Sequence, residues 1–150
     1  MTTTREVPLI IEDCALMTAG VEYSTDLLGL GPGFDPVKAQ DLIEGFVERF
    51  RAGRAKGPLD ENVAAYLGVF WGMSIVQAYG WEFVAVKIGD WRGFGIADAE
   101  RRYLALPVSF FHSLMHEKAR KEPGPAALFE AIGAKSLPAS KPGAFTILMQ

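Results

Sequence analysis

The longest apolar stretch of the chain, between Asp60 and Gly80, predicts a buried helix. Asp60 is a suitable N-cap because its carboxylate can accept a backbone N–H of the first turn. Gly80 is a natural C-terminal stop because glycine adopts the left-handed backbone conformation without a steric penalty. No charged residue occurs in residues 63–81. Apolar and small residues recur at helical spacing, which places one face in the core. The residues of this face are Ala64, Leu67, Gly68, Trp71, Gly72 and Ile75.

Gly68 and Gly72 form a smooth stripe within that face. A glycine inside a helix costs about 1 kcal/mol relative to alanine, so we expect close packing against the stripe as compensation. The same GxxxG spacing in an uncharged stretch also occurs in membrane helices. Ser74, Gln77 and the β-rich segment that follows favour a helix buried in a folded domain instead. We therefore expect no association with a membrane.

The residues after this helix alternate in the manner of β-strands. Residues 81–88 predict a strand that is apolar on both faces and therefore central in an antiparallel sheet. Residues 89–93 predict a turn, and residues 94–97 and 103–106 predict two further short strands. Pro107 then begins a helix, at a position where its missing N–H does no harm.

The flanking segments complete the predicted fold. A short helix is expected at residues 13–19, and Asp35 and Pro36 begin a second helix, as N-cap and first helical residue. Residues 118–125 predict a charged linker and residues 126–132 a short helix. Residues 144–149 form either an edge strand or a loose tail. We therefore expect one α+β domain over residues 1–150, with N-terminal helices, an antiparallel sheet of three to four strands, and C-terminal helices packed on the sheet.

The region from about residue 63 to residue 132 resembles a family of small bacterial domains with no established activity. The resemblance lies in the run YLGVFWGMSIVQAYGWEFVAVKIGDWRGFGIADAERRYLALPVSFFHSLM. The family pattern is a helix ending near glycine, a strand opening on tryptophan, a polar hairpin and a proline that begins a helix. This chain departs from it after the proline, where Phe110, Phe111 and His112 replace basic residues. The resemblance implies the fold and no particular activity.

Composition and charge narrow the classes of function. Hydrophobic residues make up 49% of the 150 residues and charged residues 22%, which is an ordinary balance for one globular domain. The net charge of −3 argues against a dedicated nucleic-acid-binding protein. The single cysteine, Cys14, suits a reducing cytoplasm and is expected to be a buried structural thiol. No signal peptide is predicted, because the apolar run before Glu12 is too short.

Two histidines and three carboxylates are the candidates for chemistry. His112 and His116 lie four residues apart on a predicted helix, where they could share a metal with a third, distant ligand. The glutamate of the zinc-protease motif is absent. Asp90, Asp98 and Glu100 lie in predicted loops and could gather at one end of the sheet for acid–base chemistry. We favour solvated side chains in both cases, with no metal and no cofactor.

The turn at Asp90, Trp91 and Arg92 is the candidate binding surface, because tryptophan and arginine are enriched at interface hot spots. The alternative is a Trp91 that folds back onto the sheet. Phe110 is a second candidate, since it neighbours Phe111 and the two would not both face one core. A basic cluster near the end of the second helix either complements the helix dipole or faces an anionic partner. It consists of Arg49, Arg51, Arg54 and Lys56.

These observations favour a non-catalytic binding protein of the bacterial cytoplasm. Its specific form would be an immunity-type protein that neutralises a toxin by direct binding. The first alternative is a metal-assisted hydrolase that uses His112 and His116. The second is a homo-oligomeric structural protein that pairs through the glycine-striped helix or Phe110. The expected partner is a protein, and neither a nucleic acid nor a membrane.

Overall fold

The computed structural model describes residues 3–117 and 124–150, which fold into one α+β domain as predicted. These described residues supply five strands and five helices. In chain order they are β1 (Thr4–Val7), α1 (Ile11–Leu27), α2 (Pro36–Arg51), α3 (Val63–Tyr79), β2 (Glu82–Ile88), β3 (Trp91–Ala97), β4 (Tyr103–Ala105), α4 (Pro107–His116), α5 (Pro125–Gly133) and β5 (Thr146–Met149).

The five strands form one sheet in the order β1-β2-β3-β4-β5. All neighbours are antiparallel except β4 and β5, which are parallel. The predicted antiparallel sheet of three to four strands is therefore wrong in strand number and in the direction of β5. A parallel pair needs a long crossover, and here α4 and α5 provide it. β1 escaped prediction because its four residues carry only one large apolar side chain, Val7.

Helix α3 lies at the centre of the fold and contacts all four other helices and the sheet. It begins at Val63 and not at Asp60, because the Asp60 carboxylate accepts the N–H of Asn62 (2.8 Å) in a preceding turn. Its predicted end at Gly80 is confirmed, with a φ of 74°. The indole N–H of Trp71 donates to the carbonyl of Pro125 (3.0 Å) and so joins α3 to α5.

The close packing predicted at the glycine stripe is confirmed. A Cβ atom on Gly68 would lie 2.6 Å from the carbonyl oxygen of Pro107, at the start of α4. A Cβ atom on Gly72 would lie 3.3 Å from the ring of Phe83 in β2. The stripe is thus covered inside the molecule and is not free to pair with a second copy. None of the helices in the described ranges combines the length and apolar character needed to cross a membrane.

Helix α1 is longer than the predicted residues 13–19 because it packs along α3. A Cβ atom on Gly20 would lie 2.8 Å from Cβ of Val69, so the two helices are in close contact there. The Ser24 hydroxyl donates to the carbonyl of Tyr66 (3.1 Å) one turn further along. Cys14 of α1 is exposed, and its predicted burial is wrong.

The other predicted boundaries are close to those observed. The Asp35 carboxylate accepts the N–H of Val37 (2.9 Å), which confirms the N-cap of α2. Helix α5 begins at Pro125, one residue before the predicted segment. Of the predicted linker at residues 118–125, residues 118–123 lie outside the described part of the chain. Residues 144–149 supply β5, the edge-strand alternative.

Apolar side chains form two clusters, one on each face of the sheet. The larger lies between the sheet and the helices. It contains both Phe110 and Phe111, which are 3% and 0% exposed, so the expectation that only one would be buried is wrong. Both are covered because α4 has α3, α2 and β3 around it.

The smaller cluster includes Val86 and Leu104, and all its members come from strands or the residues beside them. These two side chains are fully buried. Arg101, at a left-handed φ of 57°, donates to Glu6 of β1 (2.8 Å) and to Glu82 of β2 (2.9 Å). This guanidinium therefore ties the β3–β4 loop to two other strands.

Candidate functional site

The predicted binding turn is a tight hairpin between β2 and β3. Ile88 pairs directly with Trp91, so only Gly89 and Asp90 form the connection. Gly89 has a φ of 62° at the first turn position, the pattern of a type II′ hairpin. The predicted five-residue turn was too long, because Trp91 and Arg92 already belong to β3. Asp90 remains at the exposed tip.

Trp91 and Arg92 point to opposite faces of the sheet, because side chains alternate along a strand. The Trp91 ring folds back over Gly93, where any side chain would overlap it, yet 47% of the residue stays exposed. Gly93 therefore provides the space for the indole. The structure separates the predicted aromatic and cationic parts of the turn onto two faces.

Arg92 forms an ion pair with Asp13 of α1. Its two terminal nitrogens donate to the two carboxylate oxygens, at 3.0 and 2.6 Å, and one of them also donates to the carbonyl of Pro8 (3.2 Å). The Asp13 carboxylate also accepts the N–H of Ile10 (2.9 Å). The Arg92 hydrogen bond is the main reason that the pKa of Asp13 is lowered; the Ile10 N–H adds to it, and burial opposes both. Arg92 thus holds the segment between β1 and α1 against β3.

That segment exposes three consecutive large aliphatic side chains, Leu9, Ile10 and Ile11, which we name the corner surface. Ile11 is 84% exposed, on the first turn of α1. Glu12 and Cys14 are exposed beside it. In the described part of the chain, three other large apolar side chains are exposed, and they are dispersed: Val37, Leu42 and Trp91.

Sequence reasoning missed this surface and Asp13. Asp13 occupies the first turn of a helix, an ordinary place for a carboxylate. Its partner Arg92 is distant along the chain, and nothing in the local pattern pairs the two. The run of three apolar residues is visible in the sequence, but such a run ordinarily indicates a buried segment, so its exposure could not be predicted.

The histidine pair has the predicted spacing on α4. The rings of His112 and His116 are 4.8 Å apart between centroids, and both residues are exposed. The His116 ring also meets the Phe50 ring edge-on, at 5.5 Å. Residues 3–117 and 124–150 contain no group of three or more histidine, cysteine, aspartate or glutamate side chains able to hold a metal ion.

The three loop carboxylates do not gather at one end of the sheet, which is the arrangement that acid–base chemistry would have needed. Asp90 precedes β3 and Asp98 follows it, so the two are separated by the length of a seven-residue strand, roughly 20 Å. The Asp98 carboxylate accepts the N–H of Tyr103 (2.8 Å). Glu100 lies 2.7 Å from Nε of Arg102, an ion pair that lacks the alignment of a hydrogen bond.

A cleft of about 440 Å³ opens beside Asp98 and Glu100. Its walls include Trp81 and Tyr103, whose rings are parallel within 8°. This volume lies within the ordinary range of ligand pockets, about 300–1,000 Å³. The carboxylates of Asp98 and Glu100 in its walls already have partners within the protein, so the cleft indicates no particular ligand. Phe110 is buried elsewhere and takes no part in any of these surfaces.

Comparisons of the chain with protein-family models, with curated proteins and with solved structures find no match. The family resemblance described above therefore gains no support from them. Any argument about function consequently rests on the geometry of this chain alone.

Proposed function

We propose that the protein is a non-catalytic binding protein and that a partner protein docks on the corner surface. The supporting observation is the exposure of Leu9, Ile10 and Ile11 in one run. Single exposed apolar residues are ordinary, whereas a contiguous group is typical of an interaction site. Full burial of one such side chain is worth about 1.5–3 kcal/mol, so three of them can anchor a complex.

The corner surface is held rigid before any partner arrives. Arg92 donates hydrogen bonds to both carboxylate oxygens of Asp13 and to the carbonyl of Pro8. Pro8 precedes the three aliphatic residues in the chain and Asp13 follows them. A preorganised surface loses less conformational entropy on binding and therefore binds more tightly. In this proposal Arg92 positions the contact surface, whereas Trp91 lies on the opposite face of the sheet and takes no part in it.

The charges around the corner define the partner. Glu12 is exposed beside the corner surface, and the whole chain carries a net charge of −3. A complementary partner offers an apolar groove bordered by basic side chains. Toxins that act on nucleic acids carry such basic surfaces. We therefore keep an immunity-type protein of the bacterial cytoplasm, which neutralises a toxin by direct binding, as the specific form of the proposal.

The test compares two exposed aliphatic residues. Ile11→Ser removes the most exposed member of the corner surface, and Val37→Ser makes a similar change on α2, where Val37 is 64% exposed. Proteins retained by the immobilised parent and lost by Ile11→Ser are purified and titrated directly. We expect Ile11→Ser to weaken binding at least about tenfold, and Val37→Ser to leave it unchanged. Equal losses in both variants would contradict the proposal.

Two controls separate binding from folding and from self-association. Ile11 is exposed, so its substitution should change the free energy of unfolding by less than about 0.5 kcal/mol. Trp91→Ala is a poorer first test, because the ring packs on Gly93 and its loss also affects stability. Sedimentation of the parent and Ile11→Ser reports whether the corner surface joins two copies of the chain. A dimer abolished by Ile11→Ser would replace the partner protein with a second copy.

A further inference from the structure

A basic cleft lies where α1 and α2 end, apart from the corner surface. It encloses about 370 Å³. Leu27, Phe46 and Ala55 supply an apolar floor, and the rim consists of Arg49, Arg54 and Lys56. No carboxylate is among the described residues that line it. Three cations therefore surround one opening in a chain whose net charge is negative.

Among the described residues, these three cations do not occur in the salt bridges. The salt bridges of the described residues involve Arg92, Arg101 and Arg102, which lie elsewhere. Arg51, the fourth member of the basic cluster, has a different role, since it donates to the carbonyls of Leu114 and Glu117 at the end of α4. Arg51 thus caps the end of α4 and is not among the residues that line the cleft.

The helix dipoles offset only part of the rim charge. A helix C-terminus carries roughly half a negative charge, so the ends of α1 and α2 supply about one unit against three. A surplus of about two positive charges remains at the opening. The charge of a phosphate monoester at pH 7 is about −1.5 to −2, which matches this surplus. Arginine is also suited to phosphate, because its planar fork donates two parallel hydrogen bonds.

The floor adds a requirement for an apolar group. Phe46 is buried, and the Arg49 guanidinium lies 5.9 Å from the centroid of its ring. Because Leu27 and Phe46 line the same cleft as the three cations, a ligand held at the rim would lie beside them. The cleft volume is near the lower end for small-molecule sites, about 300–1,000 Å³.

We propose that the basic cleft binds a small phosphate monoester with an aromatic or short aliphatic body. Arg49, Arg54 and Lys56 would hold the phosphate, and Phe46 and Leu27 would contact the body. The proposal goes beyond the corner surface and does not depend on it. Of the four residues in the basic cluster, the proposal gives the anionic ligand to three and excludes Arg51.

The test is a titration of the full chain with phenyl phosphate at low salt, followed by calorimetry or by backbone NMR shifts. Inorganic phosphate and benzyl alcohol supply the anion and the apolar body separately. Arg54→Gln combined with Lys56→Gln removes two rim charges, and Lys38→Gln removes one exposed charge at the other end of α2. We expect saturable binding of phenyl phosphate, a loss of about tenfold or more in the double variant, and less than about twofold in Lys38→Gln.

Four results would overturn the proposal. They are absence of saturable binding up to about 10 mM, a loss in Lys38→Gln as large as in the double variant, benzyl alcohol binding as tightly as phenyl phosphate, and inorganic phosphate binding as tightly as phenyl phosphate. A fifth result would also overturn it. If a phosphotyrosine peptide bound more than about tenfold tighter than phenyl phosphate, the ligand would be a phosphorylated protein and not a small molecule. Thermal melts of both variants confirm that the fold is retained, because all the substituted side chains are exposed.

Discussion

Adding one methyl group at Gly68 should destabilise the protein, whereas the same change at Gly72 should not. At Gly68 the new Cβ would lie 2.6 Å from the Pro107 carbonyl oxygen and 2.9 Å from its carbonyl carbon. These are backbone atoms at the start of α4, and they can move only if the helix moves. At Gly72 the nearest atoms belong to the side chains of Phe83 (3.3 Å) and Ile96 (3.5 Å), which can shift by a few tenths of an ångström.

The magnitude follows from two opposing terms. Replacing glycine by alanine inside a helix gains about 1 kcal/mol at both positions. Overpacking against the α4 backbone costs about 1–3 kcal/mol at Gly68 and little at Gly72. We therefore expect Gly68→Ala to be less stable than Gly72→Ala by about 1–3 kcal/mol. Because the helix-propensity gain is common to both variants, their difference reports the steric term alone.

Urea unfolding of the two variants and the parent measures this difference. A gap of about 2 kcal/mol corresponds to roughly 4–8 °C in Tm for a domain of this size. Unchanged m-values would show that the denatured states are comparable. If Gly68→Ala were as stable as Gly72→Ala, the approach of α4 to α3 would be looser than described, and the packing argument would fail.

Three further predictions concern the ion pair, a buried amide and the thiol. Asp13→Asn should lower the free energy of unfolding. Because the folded pKa of Asp13 is lowered, its stabilisation is complete above the unfolded pKa near 3.9 and is lost as pH falls through the folded value, so the acid limb should flatten in the variant. Gln40→Met should be neutral or stabilising in thermal melts, since it removes the buried Oε1 that lacks a partner. It also removes the Nε2 bonds to the Ser74 hydroxyl (2.9 Å) and to the Pro36 carbonyl (3.0 Å). Cys14 should react stoichiometrically with a thiol reagent in the native protein, and a need for denaturant would contradict its exposure.

Local and periodic signals were sufficient for the central part of the fold. The glycine stripe, the uncharged run and Gly80 together defined α3, because a helix surrounded on all sides must be apolar on all sides. Asp35 and Pro36 defined the start of α2 through capping, which depends on neighbouring residues only. Close packing at Gly68 followed from the cost of glycine in a helix, but its partner, α4, was not predicted.

Features that depend on distant residues could not be predicted in this way. β1 forms because it pairs with the edge of β2. Its own four residues do not show the alternation of apolar and polar side chains that would predict a strand. Phe110 is buried because α4 has neighbours on several sides, which a single helix pattern does not reveal. The separation of Trp91 from Arg92 arose from the length of the turn: a two-residue hairpin placed both in the strand, and strand alternation then divided them.

The pairing of β1 with β2 also sets a constraint on synthesis. Thr4 pairs with Ile88, so the first strand made must wait for a partner near the middle of the chain. At about 5–20 residues per second, this interval is roughly 4–17 s on the ribosome. During it the Leu9–Ile11 segment lacks the Arg92 contact that later holds it in place. A chain released before β1 docks would present the unpaired edge of β2 to other chains, which is a route to aggregation. Truncation of the first seven residues should therefore reduce the soluble yield. The fractional loss of yield should exceed the fractional loss in the free energy of unfolding of the chains that do fold.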